Sequence, residues 1–173
     1  ARFVYPGNMR DHGMLKLAAD GKPGEPWRVT FDEWEIEGCP THGPALSIGA
    51  DGRYHITWFT QGNKRDGLFY AWSDDQGKTF SKPLQIGDSD KLPGYPDVLA
   101  LGKQVVLVWK IFDGAVNQIM VMRSSDRGAN WSSEKVIAQS EKKSSHPVLI
   151  TDGKQIFLSW NTVDKGFQLT VVE

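Results

Sequence analysis

Short apolar runs, each closed by a polar or glycine-bearing turn, follow one another along the chain, and no stretch carries a helical period. Runs at 54–58, 105–109 and 156–160 end in Trp58, Trp109 and Trp160, at intervals of 51 and 51 residues. Upstream of each, a proline opens another run: Pro44, Pro96 and Pro147, at intervals of 52 and 51. A turn signal separates the two runs of each pair: Asp51-Gly52, Gly102-Lys103 and Asp152-Gly153. Third runs at 68–72 and 119–123 and fourth runs at 83–86 and 134–137 keep the spacing. The repeat is therefore four short strands, a to d. A period near 50 with four strands per unit predicts the blades of a β-propeller.

The expected fold is all-β: a propeller segment of about three four-stranded blades forming one domain. Residues 1–31 supply the outer strands of a preceding blade, c near 13–17 and d at 27–30. Residues 32–88 and 89–139 form two full blades, and 140–173 a partial final blade with strands a, b and c. Closed propellers carry ~4–8 blades. The expectation is thus the C-terminal part of a larger propeller, or a partial one completed by missing blades or by a second copy.

Charge narrows the function. Twenty basic and 21 acidic side chains leave a formal net charge of −1, which argues against nucleic acid and anionic membrane surfaces as partners. The longest apolar run, 104–109, is strand-sized and far short of the ~20 residues that span a bilayer. Cys39 is the only cysteine, so no internal disulfide forms.

Between the third and fourth strands lies a repeated motif, Ser73-x-Asp75-x-Gly77-x-Thr79-Phe80 and Ser124-x-Asp126-x-Gly128-x-Asn130-Trp131. The carboxylate can accept from turn amides, the glycine admits positive φ, and the aromatic fills space between strands. One or two carboxylates per turn make a poor calcium site, so a structural role is expected. With these motifs at blade period the chain resembles the Asp-box (BNR-repeat) propellers, of which sialidases are the best known. The first blade carries a degraded form at 18–22, and the segment Gly38-Cys39-Pro40-Thr41-His42-Gly43-Pro44 resembles bacterial sialidase-like members. The resemblance implies export, to a periplasmic or extracellular compartment, and a ligand face formed by the d–a connectors and b–c loops.

That face collects the candidate site residues. His42, Tyr95 and His146 each end a d–a connector just before an inner strand, where they either cap strands or line a polar pocket. Arg10-Asp11 and Arg65-Asp66 occupy the same place in two b–c loops. The aspartates are expected to make structural ion pairs, while Arg10 and Arg65 are open to an anionic ligand. Cys39, His42 and His146 are metal-ligand types but match no short ligand spacing; no metal or cofactor is expected.

Sialidase resemblance implies an arginine triad, an aspartate acid and a tyrosine nucleophile assisted by glutamate. Tyr95 stands where such a tyrosine would, although Pro96 follows it. No glutamate is assignable as its partner; Glu33, Glu35 and Glu37 all fall in the longest connector. Two readings compete: part of an exo-glycosidase acting on a carbohydrate, and a non-catalytic propeller whose loops bind a glycan or a protein.

Overall fold

The computed structural model describes residues 1–38 and 40–172. Thirteen strands lie among them, with one 3-10 turn at Ser89–Lys91 and no α-helix. The first blade contributes the short pair β1 (Gly13–Met14) and β2 (Trp27–Arg28). The second is an antiparallel meander of β3 (Ala45–Ile48), β4 (Tyr54–Gln61), β5 (Asp66–Ser73) and β6 (Leu84–Ile86). The third repeats it with β7 (Gly94–Leu101), β8 (Gln104–Phe112), β9 (Asn117–Ser124) and β10 (Lys135–Ser140). The last has β11 (Val148–Thr151), β12 (Ile156–Thr162) and β13 (Gly166–Val171). This is the all-β propeller segment that the 51-residue period predicts.

Residues 1–12 add a hairpin to the first blade, with bridges Arg2 to His12 and Tyr5 to Met9. Among the described residues that blade has no inner strand. A cavity of about 240 Å³ lies there, lined by Phe3, Met14, Val29, Leu46 and Trp58 among others.

The repeated Ser-x-Asp-x-Gly turns are built alike. Ser73 Oγ accepts from the Gly77 amide at 2.8 Å and donates to Asp75 Oδ1 at 2.7 Å. Asp75 then accepts from the Thr79 amide at 2.9 Å and the Thr79 hydroxyl at 2.6 Å. In the next blade Ser124, Gly128, Asp126 and Asn130 repeat the pattern, with the Asn130 amide group in place of the hydroxyl. These hydrogen bonds hold the Asp75 carboxyl far below the usual carboxylate range and Asp126 down to about 2. Both carboxylates are consumed inside their turns, as the expected structural role requires.

The turns also lock one blade to the next. Gly77 and Gly128 take φ of 83° and 84°, and each receives the preceding blade at close range. A Cβ on Gly77 would stand 2.8 Å from the Met14 sulfur, and Trp27 donates to the Gly77 carbonyl at 2.7 Å. A Cβ on Gly128 would collide with the Tyr70 hydroxyl, while Trp131 meets the Tyr70 ring edge-on at 4.8 Å. Tyr70 is itself held by His55 Nδ1 at 2.7 Å. At the rim Arg53 forks onto Asp74, stacks on Trp72 and reaches the Arg127 carbonyl; Arg127 pairs with Asp51 at 2.5 Å.

Inner strands are tied in the same direction. Ser47 Oγ accepts from the Ala100 amide at 2.9 Å, and Asp97 Oδ2 from the Leu149 amide at 2.7 Å. In the last blade Leu149, Ile156, Leu158 and Trp160 face the third blade in one core. Val148, Ile150, Phe167 and Leu169 face away and are 42–67% exposed. Alternation along each strand decides which half of these residues is covered.

Ser124→Ala should leave the buried Gly128 amide unpaired and cost about 1–3 kcal/mol, read as a lower denaturant midpoint at unchanged slope. Burial pushes His55 down to about 4, whereas the unfolded chain protonates it near 6.5. The unfolded state therefore binds the extra proton, so this contribution to stability is whole above pH 6.5 and is lost towards pH 4. His55→Gln should flatten that part of the stability profile; an unaltered profile would show that His55 does not drive it.

Candidate functional site

The tryptophans that set the repeat also fasten the connectors that carry the candidate residues. Trp58, Trp109 and Trp160 are at most 2% exposed, inside b strands that run two or three residues past them. Trp58 Nε1 donates to Asp32 Oδ2 at 2.8 Å, and Trp160 Nε1 to the Ser145 carbonyl at 3.1 Å. Asp32 and Ser145 belong to the connectors that end in His42 and His146. Trp109 sits against Gly87 at the start of the middle connector, where a Cβ would stand 3.1 Å from its Nε1. Its indole N–H has no partner among the described residues.

The three connectors deliver their last side chains to one place. His42 meets the Tyr95 ring edge-on with centroids 4.2 Å apart, and Tyr95 stacks on His146 at 3.6 Å and 18°. Phe59 backs His42 at 4.5 Å, and Trp34 backs Phe59 at 5.7 Å. Tyr95 holds φ at 53°, a conformation costly for a non-glycine residue. It lies in a bulge between Gly94 and Asp97 where the β7–β8 register shifts. Gly94 makes room for the stack, since a Cβ there would press on His42 Cε1 at 3.2 Å.

Both imidazoles are biased towards the neutral form, and cations lie nearby. Burial lowers the His42 pKa, with smaller contributions from His146 and Arg2. Burial also lowers that of His146, helped by Lys110. Lys110 lies near the outer end of β8, donates to the Ser144 carbonyl at 3.4 Å, and has its own pKa lowered by burial. Arg2 donates to the carbonyls of Arg10, His42 and Phe59 and lies over Trp34 at 4.5 Å.

The structure brings together three of the residues singled out in the sequence and leaves others apart. Arg65 turns to buried Asp32 at 2.5 Å, and Arg10 donates to Asn8 at 2.9 Å. Neither forms a hydrogen bond or ring contact with the His42–Tyr95–His146 stack, because each is drawn to a partner in its own neighbourhood. Asp11 is structural as expected: buried, paired with Arg28, and accepting from the Asp32 amide at 3.2 Å. Asp66, expected to match it, makes no ion pair among the described residues and is exposed. Glu33 pairs with Lys64 at 2.5 Å and Glu37 accepts from Asn8 at 2.8 Å. Cys39 lies outside the described residues. No group of three or more metal-ligating side chains gathers among the described residues.

Asp32, Lys110, Arg2 and Phe59 were not singled out from the sequence. Lys110 carries a faint signal, a charged residue directly after the repeated tryptophan; Asp32 and Arg2 carry none, and Phe59 only its place after Trp58.

No family model matches the chain, and no curated protein matches it. Its fold matches solved structures at low identity. An α-L-arabinofuranosidase from Fusarium graminearum is 17% identical with a TM-score of 0.59, covering 76% of this chain and 48% of that one. An α-L-arabinanase from Penicillium chrysogenum, solved with arabinobiose, is 17% identical with a TM-score of 0.54, covering 69% and 40%. A Dyadobacter fermentans protein of unknown function is 15% identical with a TM-score of 0.63, covering 96% and 54%. The chain spans about half the length of these structures. The likeness is one of propeller fold; it does not extend to the sialidase family.

The electrostatics carry a signed prediction. Removing the neighbouring cation with Lys110→Gln should raise the His146 pKa and leave it still below 6.5, since burial is the larger cause. A proton NMR titration of the imidazole checks both halves; a downward shift would place Lys110 elsewhere.

Proposed function

We propose that the loop face recognises a carbohydrate, with His42, Tyr95 and His146 as its contact surface. One observation carries this reading: three successive connectors converge on a single ring stack, with centroid spacings of 4.2 and 3.6 Å. Aromatic faces take the apolar face of a sugar, and imidazole and phenol groups exchange hydrogen bonds with its hydroxyls. The strained Tyr95 backbone supports it too, since strain persists where the surroundings hold a functional geometry. Sugar-directed enzymes among the solved propellers of like fold add support by analogy alone.

Within this reading the complete protein is an Asp-box propeller and an exo-glycosidase, with Tyr95 as the reacting group. The hydrogen-bonded turns around Asp75 and Asp126 support the family. A second reading, a non-catalytic propeller binding a glycan or a protein, is favoured by the glutamates: Glu33 and Glu37 are drawn to Lys64 and Asn8, away from Tyr95. Further blades or a second copy would cover the apolar face of Val148, Ile150, Phe167 and Leu169.

Titrating the protein with arabinose, arabinobiose and sialyllactose, followed by calorimetry and the imidazole resonances, tests the reading. At least one sugar should shift His42 and His146. Tyr95→Ala and His146→Ala should then weaken binding by about tenfold or more, ~1.4 kcal/mol. Absence of any sugar response, or variants that bind like the parent, would overturn it. Hydrolysis lost in Tyr95→Phe with binding kept would favour the enzyme; binding with no hydrolysis by the complete protein would favour the scaffold.

A further inference from the structure

Beside the ring stack a cleft of about 470 Å³ opens over the second blade. Three segments wall it: the connector carrying Trp34 and His42, the b–c turn between β4 and β5, and the connector around Ser89 and Leu92. Its floor is aromatic, Phe59 with Trp34 behind it. Its rim presents the side chains of Gln61, Asp66 and Ser89, all exposed. An apolar floor under a few convergent polar groups is the composition of a small-ligand site.

Charge narrows what the cleft accepts. None of its lining residues is a lysine or arginine. The cations nearby in sequence are each paired: Lys64 with Glu33, Arg65 with Asp32, and Lys91 with Asp88. Among the described residues the Asp66 carboxylate makes no ion pair or side-chain hydrogen bond, while the Asp66 carbonyl accepts from Gln85. Arg2 stands behind the floor, donating to the carbonyls of His42 and Phe59 and lying over Trp34, so the charged group that faces the cleft is the Asp66 carboxylate, which repels an acidic group and accepts hydroxyl donors. His42 joins this cleft to the stack, since its ring touches Phe59 on one side and Tyr95 on the other.

We infer that this cleft is a second sugar subsite, taking a neutral residue joined to the one held at the His42–Tyr95–His146 stack. The inference rests on the carbohydrate reading above and makes the ligand an oligosaccharide whose second residue is uncharged. Asp66 and Gln61 accept and donate at its hydroxyls, and Phe59 underlies its ring.

Calorimetry with arabinose, with arabinobiose, and with a disaccharide ending in a uronic acid tests it on the 173-residue chain. Arabinobiose should bind about tenfold more tightly than arabinose, and the uronic acid disaccharide should lack that gain. Asp66→Ala and Gln61→Ala, both exposed positions, should remove the gain and leave arabinose binding as it was. Equal affinity for arabinose and arabinobiose in the parent protein, or a gain that survives both substitutions, would overturn the subsite and leave the stack standing. Arabinobiose that perturbs the Gln61 amide without perturbing His146 would support the cleft and remove the stack instead. No response to any of the three sugars would remove both.

Discussion

One side chain in each of the last three blades, the buried tryptophan of the b strand, connects the fold to the candidate site. Each indole is buried between sheets, so its N–H must find an acceptor inside the protein or remain unpaired. Trp58 and Trp160 find theirs in the connector that enters their own blade, at Asp32 and at the Ser145 carbonyl. A connector so pinned has one point fixed to the core before it reaches the inner strand. His42 and His146 are therefore aimed by the core, and not by the loop that bears them. Trp109 tests the rule by exception: its N–H has no partner among the described residues, and its connector has Gly87 at the contact and Leu92 and Tyr95 at positive φ. Positive φ also occurs at Glu33 in the connector that Trp58 fastens, so backbone strain is not confined to the unfastened one.

Blade-to-blade contact follows a second constraint, the need to bring a strand edge against a turn without a side chain between them. Gly77 and Gly128 meet it twice over, by positive φ and by the space a Cβ would occupy. Met14 and Tyr70 are the facing residues in successive blades, which explains why a polar phenol is tolerated at the centre of β5. His55 satisfies its hydroxyl, and burial raises its pKa, so the pair remains uncharged. The motif carboxylates take no part in this contact; they hold the turn that presents the glycine.

How much of this was legible in the sequence depends on whether the information is periodic. Strand order, the two full meanders and the tightly bonded turns all follow from markers repeating at 51 residues. So does the convergence of His42, Tyr95 and His146, because equal positions in successive blades are neighbours around a propeller. Pairing across blades is not periodic, and there the sequence was opaque. Arg10 and Arg65 look equivalent, yet Arg65 is claimed by Asp32 and Arg10 by Asn8. Asp11 and Asp66 look equivalent, yet one is buried and paired and the other is exposed. A repeat fixes where a side chain starts; its neighbours, which differ from blade to blade, decide where it ends.

That divergence gives the face its chemistry. Near-identical blades would ring the mouth with near-identical groups, and such a ring would discriminate poorly among ligands. Here the middle connector brings a tyrosine where its neighbours bring histidines, and a bulge with φ at 53° turns its ring between them. Gly94 is needed because the His42 ring occupies the space beside it. On the Lys110 side the stack borders a cation, and on the Asp66 side it opens to a carboxylate with no cation in the cleft wall. The rigid, repeated part of each blade holds these unlike groups at fixed spacing. A ligand spanning them would run from Lys110, over a ring platform backed by Arg2, to the Asp66 carboxylate, and those unlike ends would orient it on the face.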